Sequence, residues 1–213
     1  MKNNDFTDVV QNRHSVRTFD PDVKISHEEF KQMFAETITA PSACDLQAWH
    51  FEVADTPETK AKVRKYMMKF NYPQVDTSSA IVQVFGYVDA YKSYKAMWTK
   101  TYEEGNITKE KLNEILGTFL PLYENGDYQL RATDAIVDSA LASMQFMLVA
   151  RNHGYDTNPI AGYDTTKVAE TFGLDAKLYV PVMAIAIGKS KETPETHTKT
   201  VRYPVEQIYH FAE

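Results

Sequence analysis

The longest unbroken helical periodicity in this chain runs from about Gln129 to His153, and it constrains the fold more than any other stretch. Ile136, Ala140, Met144, Met147 and Leu148 recur at helical spacing, which predicts that they face inward. Gly154 follows as a left-handed C-cap. A helix this long needs a partner surface, so the segment is read as the central helix of a single core. A chain of 213 residues is large enough to bury one such core.

Three stretches supply strands. Trp49, Phe51 and Val53 alternate with His50 and Glu52; Ser79 to Val88 is apolar and β-branched; Tyr179 to Ile187 repeats that character. Between them lie helix signals. Phe6, Val9 and Val10 mark a short helix. Ser26 and Glu29 form a capping box ahead of Phe30, Met33, Phe34 and Ile38, with Pro41 as the stop. Thr56-Pro57 opens another helix. From Ala90 to Leu122 the pattern is helical, with breaks expected at Glu104-Gly105-Asn106 and at Pro121, and Tyr91, Tyr94 and Trp98 read as core packing. Asn158 to Tyr163 reads as a tight loop before a helix capped by Asp164 and ended by Gly173. This order predicts an α+β fold with helices on both faces of a small sheet, as one domain over residues 1–213. Residues 189–213 form a terminal arm: a polar spacer, then Val201, Tyr203, Val205, Ile208, Tyr209 and Phe211, apolar side chains that dock on the body or on a second subunit.

Composition excludes several functions. A net charge of -6 argues against nucleic acid, which calls for a basic face. No apolar run reaches the roughly 18 residues of a membrane span. The polar start Met1-Lys2-Asn3-Asn4-Asp5 lacks the apolar stretch of a signal peptide, and a single cysteine, Cys44, fits a reducing compartment; the expectation is a cytoplasmic protein. None of the glycines stands in a G-x-G pair, so no dinucleotide fingerprint or phosphate loop is present. The six histidines show no metal-ligand spacing, and no metal is expected.

Chemistry concentrates first in Arg13-His14-Ser15-Val16-Arg17. Two guanidiniums, an imidazole and a hydroxyl in five residues suit an anionic ligand, since arginine matches phosphate or carboxylate in a bidentate way. A solvated basic turn is the plain alternative. Ala40 to Trp49 joins a helix to a strand through small and hydrogen-bonding residues, and Asn158 to Tyr163 offers backbone N–H groups; each also reads as a simple connection. Arg202 is the only arginine of the arm.

Taken together these stretches resemble the FMN-dependent nitroreductase family over nearly the whole chain. Arg13-His14-Ser15-Val16-Arg17 resembles its R-[RH]-S-x-[RK] motif, and Ala40 to Trp49 its A-P-S-x-x-N-x-Q-P-W segment. Gly154 to Asp164 resembles G-…-P-I-x-G-[FY]-[DN], and Val180 to Gly188 followed by Arg202-Tyr203-Pro204 resembles the family's ending. The resemblance implies a nitroreductase-like fold with a mixed or antiparallel sheet, and a homodimer that exchanges its C-terminal arm and binds FMN at the subunit interface. NADH or NADPH would reduce FMN in a ping-pong cycle, and a nitroaromatic, quinone or related flat acceptor would take the electrons.

By the same resemblance, Arg13, Ser15 and Arg202 hold the phosphate side and His14 adds a ribityl or phosphate contact. Arg17 lies near the pyrimidine edge, where a cation offsets the charge that reduction places on N1 and O2. Pro41, Ser42, Asp45 and Gln47 come from the partner subunit. Pro159, Ile160, Ala161 and Gly162 run along the flavin, with Asn71 and Gln74 as further contacts. No side chain is expected to act as catalytic acid or base. Asp45 replaces the family's usual asparagine, which puts a carboxylate near the flavin and opens an alternative: an FMN-binding redox sensor or flavin store with little turnover. Ala48 replaces proline, and Ala161 replaces a residue that is often Glu or Gly.

Overall fold

The computed structural model describes residues 5–193 and 195–212. The polar start Met1 to Asn4 lies outside these residues. Four strands, β1 (Trp49–Ala54), β2 (Ala80–Tyr87), β3 (Asp156–Ile160) and β4 (Tyr179–Gly188), form one antiparallel sheet in the order β1-β2-β4-β3. Around it lie α1 (Phe6–Asn12), α2 (His27–Thr37), α3 (Pro57–Arg64), α4 (Tyr72–Thr77), α5 (Tyr94–Glu103), α6 (Lys109–Glu124), α7 (Tyr128–Asn152) and α8 (Thr165–Thr171). The α+β expectation holds, with helices on both faces. Val63, Val75 and Val168 of α3, α4 and α8 meet Ile81, Phe85 and Ala184 on one face. Phe30 and Met33 of α2 and Phe146, Met147 and Ala150 of α7 meet Val82, Val84 and Ile185 on the other. A third cluster, with Leu46, Ala48, Tyr94, Ile115 and Ala135, sits where α5 and α6 join the start of α7. No helix among the described residues is long and apolar enough to cross a membrane.

Local signals placed most boundaries. Ser26 and Glu29 form the reciprocal capping box, Thr56 caps α3 with Pro57 in its first turn, and Gly154 turns the chain out of α7 at φ 80°. β2, buried along nearly all its length, is the central strand. Three expectations need correction. α6 runs through Pro121 rather than breaking there. The residue four back is Gly117, exposed and without a side chain, so the carbonyl freed by proline faces solvent. The segment expected as a loop from Asn158 begins inside β3, which is short and carries Pro159; proline is tolerated because β3 is the edge strand of the sheet, paired with β4 and bridged on its other side only at Thr157, ahead of the proline.

The third correction concerns α7. Its 25 residues extend about 37 Å, so its existence was unmistakable. The face against the sheet, however, consists of Ala132, Ala135, Asp138, Ser139, Ala142, Ser143, Phe146, Met147 and Ala150. Of the residues expected inward only Met147 is buried; Ala140 and Leu148 are half-buried, and Ile136 and Met144 are exposed. Small side chains let the helix come close enough for Ser139 Oγ to donate to the Phe85 carbonyl of β2 at 3.0 Å. Ser143 Oγ donates back to the Ser139 carbonyl at 2.7 Å, so neither hydroxyl is buried unpaired.

The arm begins as an added strand-like segment. Asp20 N donates to the Lys189 carbonyl and Lys191 N to the Thr18 carbonyl, at 2.8 and 3.0 Å. Beyond it, Val201, Tyr203, Val205, Ile208, Tyr209 and Phe211 are all exposed, so the arm's apolar side chains do not dock on their own chain.

Candidate functional site

Leaving α1, the chain lays Arg13 to Arg17 beside the start of β3. Ser15 bridges to Thr157, and Val16 N donates to the Thr157 carbonyl at 3.1 Å. Val16 is fully buried, which pins the run and turns its polar neighbours outward. Burial depresses the pKa of Arg13, and the nearby charges of Arg202 and Arg151 depress it further, so three guanidiniums crowd one place. Arg151 is neutralised by Asp156 at 3.1 Å and Asp8 at 3.8 Å. Arg13, Arg17 and Arg202 have no carboxylate partner among the described residues. In an acidic protein, Arg13 and Arg202 thus stand near one another with no carboxylate among the described residues to offset them.

Arg17 leads into a buried amide cluster. With its amide oriented so that the oxygen faces donors and the nitrogen an acceptor, Gln74 accepts from Arg17 Nη1 and Asn158 Nδ2, each at 3.2 Å, and donates to the Asn71 carbonyl at 3.1 Å. Asn71 Nδ2 donates to the Gly162 carbonyl at 2.8 Å, and Met68 N donates to the same oxygen at 3.0 Å. Gly162 has no room for a side chain: a Cβ would come 2.6 Å from Asn71 Nδ2 and 2.7 Å from the Phe70 ring. Of the remaining expected residues here, Pro159 is half-buried, Ala161 is exposed after β3, and Ile160 sends its side chain into the core. His14 turns both ring nitrogens toward protein groups, Asn12 and Glu192.

The Pro41 to Gln47 loop is built separately. Cys44, Asp45 and Gln47 all have positive φ, at 50°, 59° and 50°. Aspartate is one of the few residues that enters this region readily, which accounts for Asp45 in an asparagine position. Ser42 Oγ accepts from Gln47 N at 3.1 Å, and Gln47 Nε2 donates to Asp45 Oδ1 at 3.2 Å. Ala43 N donates to Asp138 Oδ1 of α7 at 2.8 Å. Burial raises the pKa of Asp138, against the pull of the Ala43 and Ala48 backbone N–H groups. Leu46 and Ala48 anchor this loop in the third apolar cluster, whereas Met67, Ile160 and Tyr163 beside Gly162 belong to the first. The loop and the Gly162 region are thus anchored in different apolar clusters of the chain.

Sequence reasoning missed Asn158 as a member of the amide cluster and Asp138 as the anchor of the loop. Asn158 carried no signal beyond standing before a proline. Asp138 carried one, a charged residue in the middle of an apolar helix face.

Residues 10–189 match the family model described as the Nitroreductase family. A protein of Lactiplantibacillus plantarum named CLA biosynthesis enone reductase is 56% identical over 201 residues, covering 94% of this chain and 91% of its own. YdgI of Bacillus subtilis (strain 168), classed by name with NAD(P)H nitroreductases, is 42% identical over 192 residues, 90% of this chain and 91% of its own. The crystal structure of an Exiguobacterium sibiricum protein of nitroreductase type in complex with FMN superposes with a TM-score of 0.94 at 39% identity, over 100% of this chain and 99% of the other. With the family model spanning most of the sequence and relatives aligned over nearly their full lengths, the chain belongs to the nitroreductase family.

Proposed function

We propose that the protein is an FMN oxidoreductase that draws electrons from NADH or NADPH and delivers them to an electron-poor, conjugated acceptor. The observation that carries this is the crowding of Arg13 and Arg202, without a carboxylate among the described residues, in the same N-terminal run whose Arg17 is held by the amides of Asn71, Gln74 and Asn158. A phosphate at the first place and a heterocycle edge at the second suit that arrangement. Arg13, Ser15 and Arg202 would hold the phosphate, and Arg17, oriented by Gln74, would offset negative charge on the reduced ring; Gly162 would let Asn71 and Phe70 pack directly against the backbone that lines the site. When bound, FMN would supply two-electron redox chemistry, linking a nicotinamide donor to the acceptor at one site. The Pro41 to Gln47 loop of a second copy completes the site, making the working unit a homodimer.

Met68 and Phe70 offer exposed apolar surface beside Gly162, suited to a flat acceptor that stacks rather than ionises. A conjugated enone leads the acceptors we propose, given the name of the 56%-identical relative, with nitroaromatics and quinones as further substrates. The test is the visible spectrum of protein purified without added flavin, before and after anaerobic NADH or NADPH. Bleaching, followed by recovery on adding an enone, supports this reading; a yellow protein that will not bleach favours the sensor reading based on Asp45. Arg13→Ala with Arg202→Ala removes two charge-assisted contacts of about 1.5–3 kcal/mol each, so FMN affinity falls by at least 100-fold. Unchanged affinity in that variant refutes the phosphate assignment.

A further inference from the structure

We propose that His14, Glu192 and His197 form a binding site for a divalent metal ion of the zinc type. The three donor atoms lie within 4.8 Å of one another, brought together from the Arg13 run and the start of the arm. Glu192 Oε2 is 3.6 Å from His14 Nε2 and 3.4 Å from His197 Nδ1. Zinc bonds of about 2.0–2.2 Å in tetrahedral geometry place neighbouring donors about 3.3–3.6 Å apart, so both separations already suit an ion lodged between them.

The hydrogen bonds around the cluster point the same way. His14 Nδ1 lies 3.0 Å from the Asn12 carbonyl, which can only accept, so Nδ1 is the nitrogen that donates there and Nε2 is the one left facing Glu192. Anchoring one imidazole nitrogen to a backbone carbonyl is the usual way a protein orients a histidine ligand. Glu192 Oε1 accepts from Arg17 N, which leaves Oε2 as the atom both imidazoles face. The Glu192 side chain is 8% exposed, whereas His14 and His197 are about one-third exposed. The carboxylate thus forms a buried floor and the open side leaves a coordination position for water. His14 and His197 pack edge-to-face with centroids 4.2 Å apart, so neither ring stands isolated.

The spacing Glu192-x-x-x-x-His197 alone is unremarkable; His14 joins it only because the arm runs antiparallel to Arg17–Asp20. A bound ion would pin the segment leading to Arg202 against the Arg13 run. The cluster adjoins the proposed phosphate site, since His14 is also the expected ribityl or phosphate contact, so its test reads zinc uptake itself and not turnover.

The experiment is calorimetric titration of Zn²⁺ into tag-free holoprotein, stripped with chelator and kept in phosphate-free buffer, for the wild type, His197→Ala, Glu192→Gln and His197→Cys. The expected result is one zinc per chain in the wild type. Affinity should fall at least tenfold in His197→Ala and Glu192→Gln and recover in His197→Cys, whose thiolate is itself a zinc ligand. Zinc should also raise the melting temperature of the wild type and not of His197→Ala. A wild type that takes up no stoichiometric zinc overturns the proposal, as does binding that survives His197→Ala unchanged.

Discussion

The two long faces of α7 are made of opposite materials. Toward the sheet the helix presents alanine and serine at nearly every buried position, with Phe146 and Met147 the large exceptions. Away from it stand Ile136, Val137, Leu141 and Met144, between 39% and 51% exposed. By transfer free energy alone the second face should be the buried one. Distance decides otherwise: Ser139 reaches the backbone of β2, an approach that bulky side chains on that face would block. The larger apolar face remains as an exposed stripe, which the second copy proposed above would cover.

The sharpest way to break this comparison is to charge the outer stripe. Leu141→Glu should leave single-chain stability within about 0.5 kcal/mol, as surface substitutions do. In a dimer it strands an unpaired charge in the interface, costing about 3–5 kcal/mol, so the dimer dissociation constant rises by at least 100-fold. Sedimentation at micromolar concentration should find a dimeric wild type and a monomeric variant that retains FMN poorly. A wild type that sediments as a monomer contradicts the assignment of the stripe.

The inner face is tested by size. Ala142 is fully buried, and Ala142→Leu forces extra methylenes between helix and sheet. The expected cost is about 1–3 kcal/mol, seen as a fall of roughly 2–12 °C in melting temperature. A variant as stable as the wild type would mean that the close approach is not what selects the small residues.

How much was legible in the sequence follows the same division. Caps, glycine turns and the apolar strands were readable because their physics is local: Ser26 with Glu29, Thr56 with Pro57, Gly154, and the run from Ser79 to Val88. The inward face of α7 was not, because periodicity counts apolarity and is blind to how near the sheet lies. β3 was hidden by its length and by Pro159, which an edge strand accommodates. In the site, Arg13, Arg17, Asn71, Gln74 and Gly162 could be named from motif resemblance, and the structure joins all of them except Arg13 in one hydrogen-bond network. The cluster of His14 with Glu192 and His197 was invisible because its members meet only after the arm has folded back.

Asp138 ties the inner face of α7 to the Pro41 to Gln47 loop, and it carries the smallest expected effect. Burial raises its folded-state pKa above the ordinary 3.8, so the folded protein holds the proton more tightly than the unfolded chain. Its contribution to stability is therefore greatest below about pH 4 and is lost as pH rises through the folded-state value. Asp138→Asn keeps an oxygen for Ala43 N but never ionises. Near pH 4 the variant should melt close to the wild type; with rising pH it should gain, by about 1 kcal/mol or 2–4 °C. Melting curves of both proteins from pH 4 to 8 measure this directly. If the variant instead loses ground as pH rises, the ionised carboxylate is stabilising the loop through the two backbone N–H groups, and charge rather than burial governs the anchor.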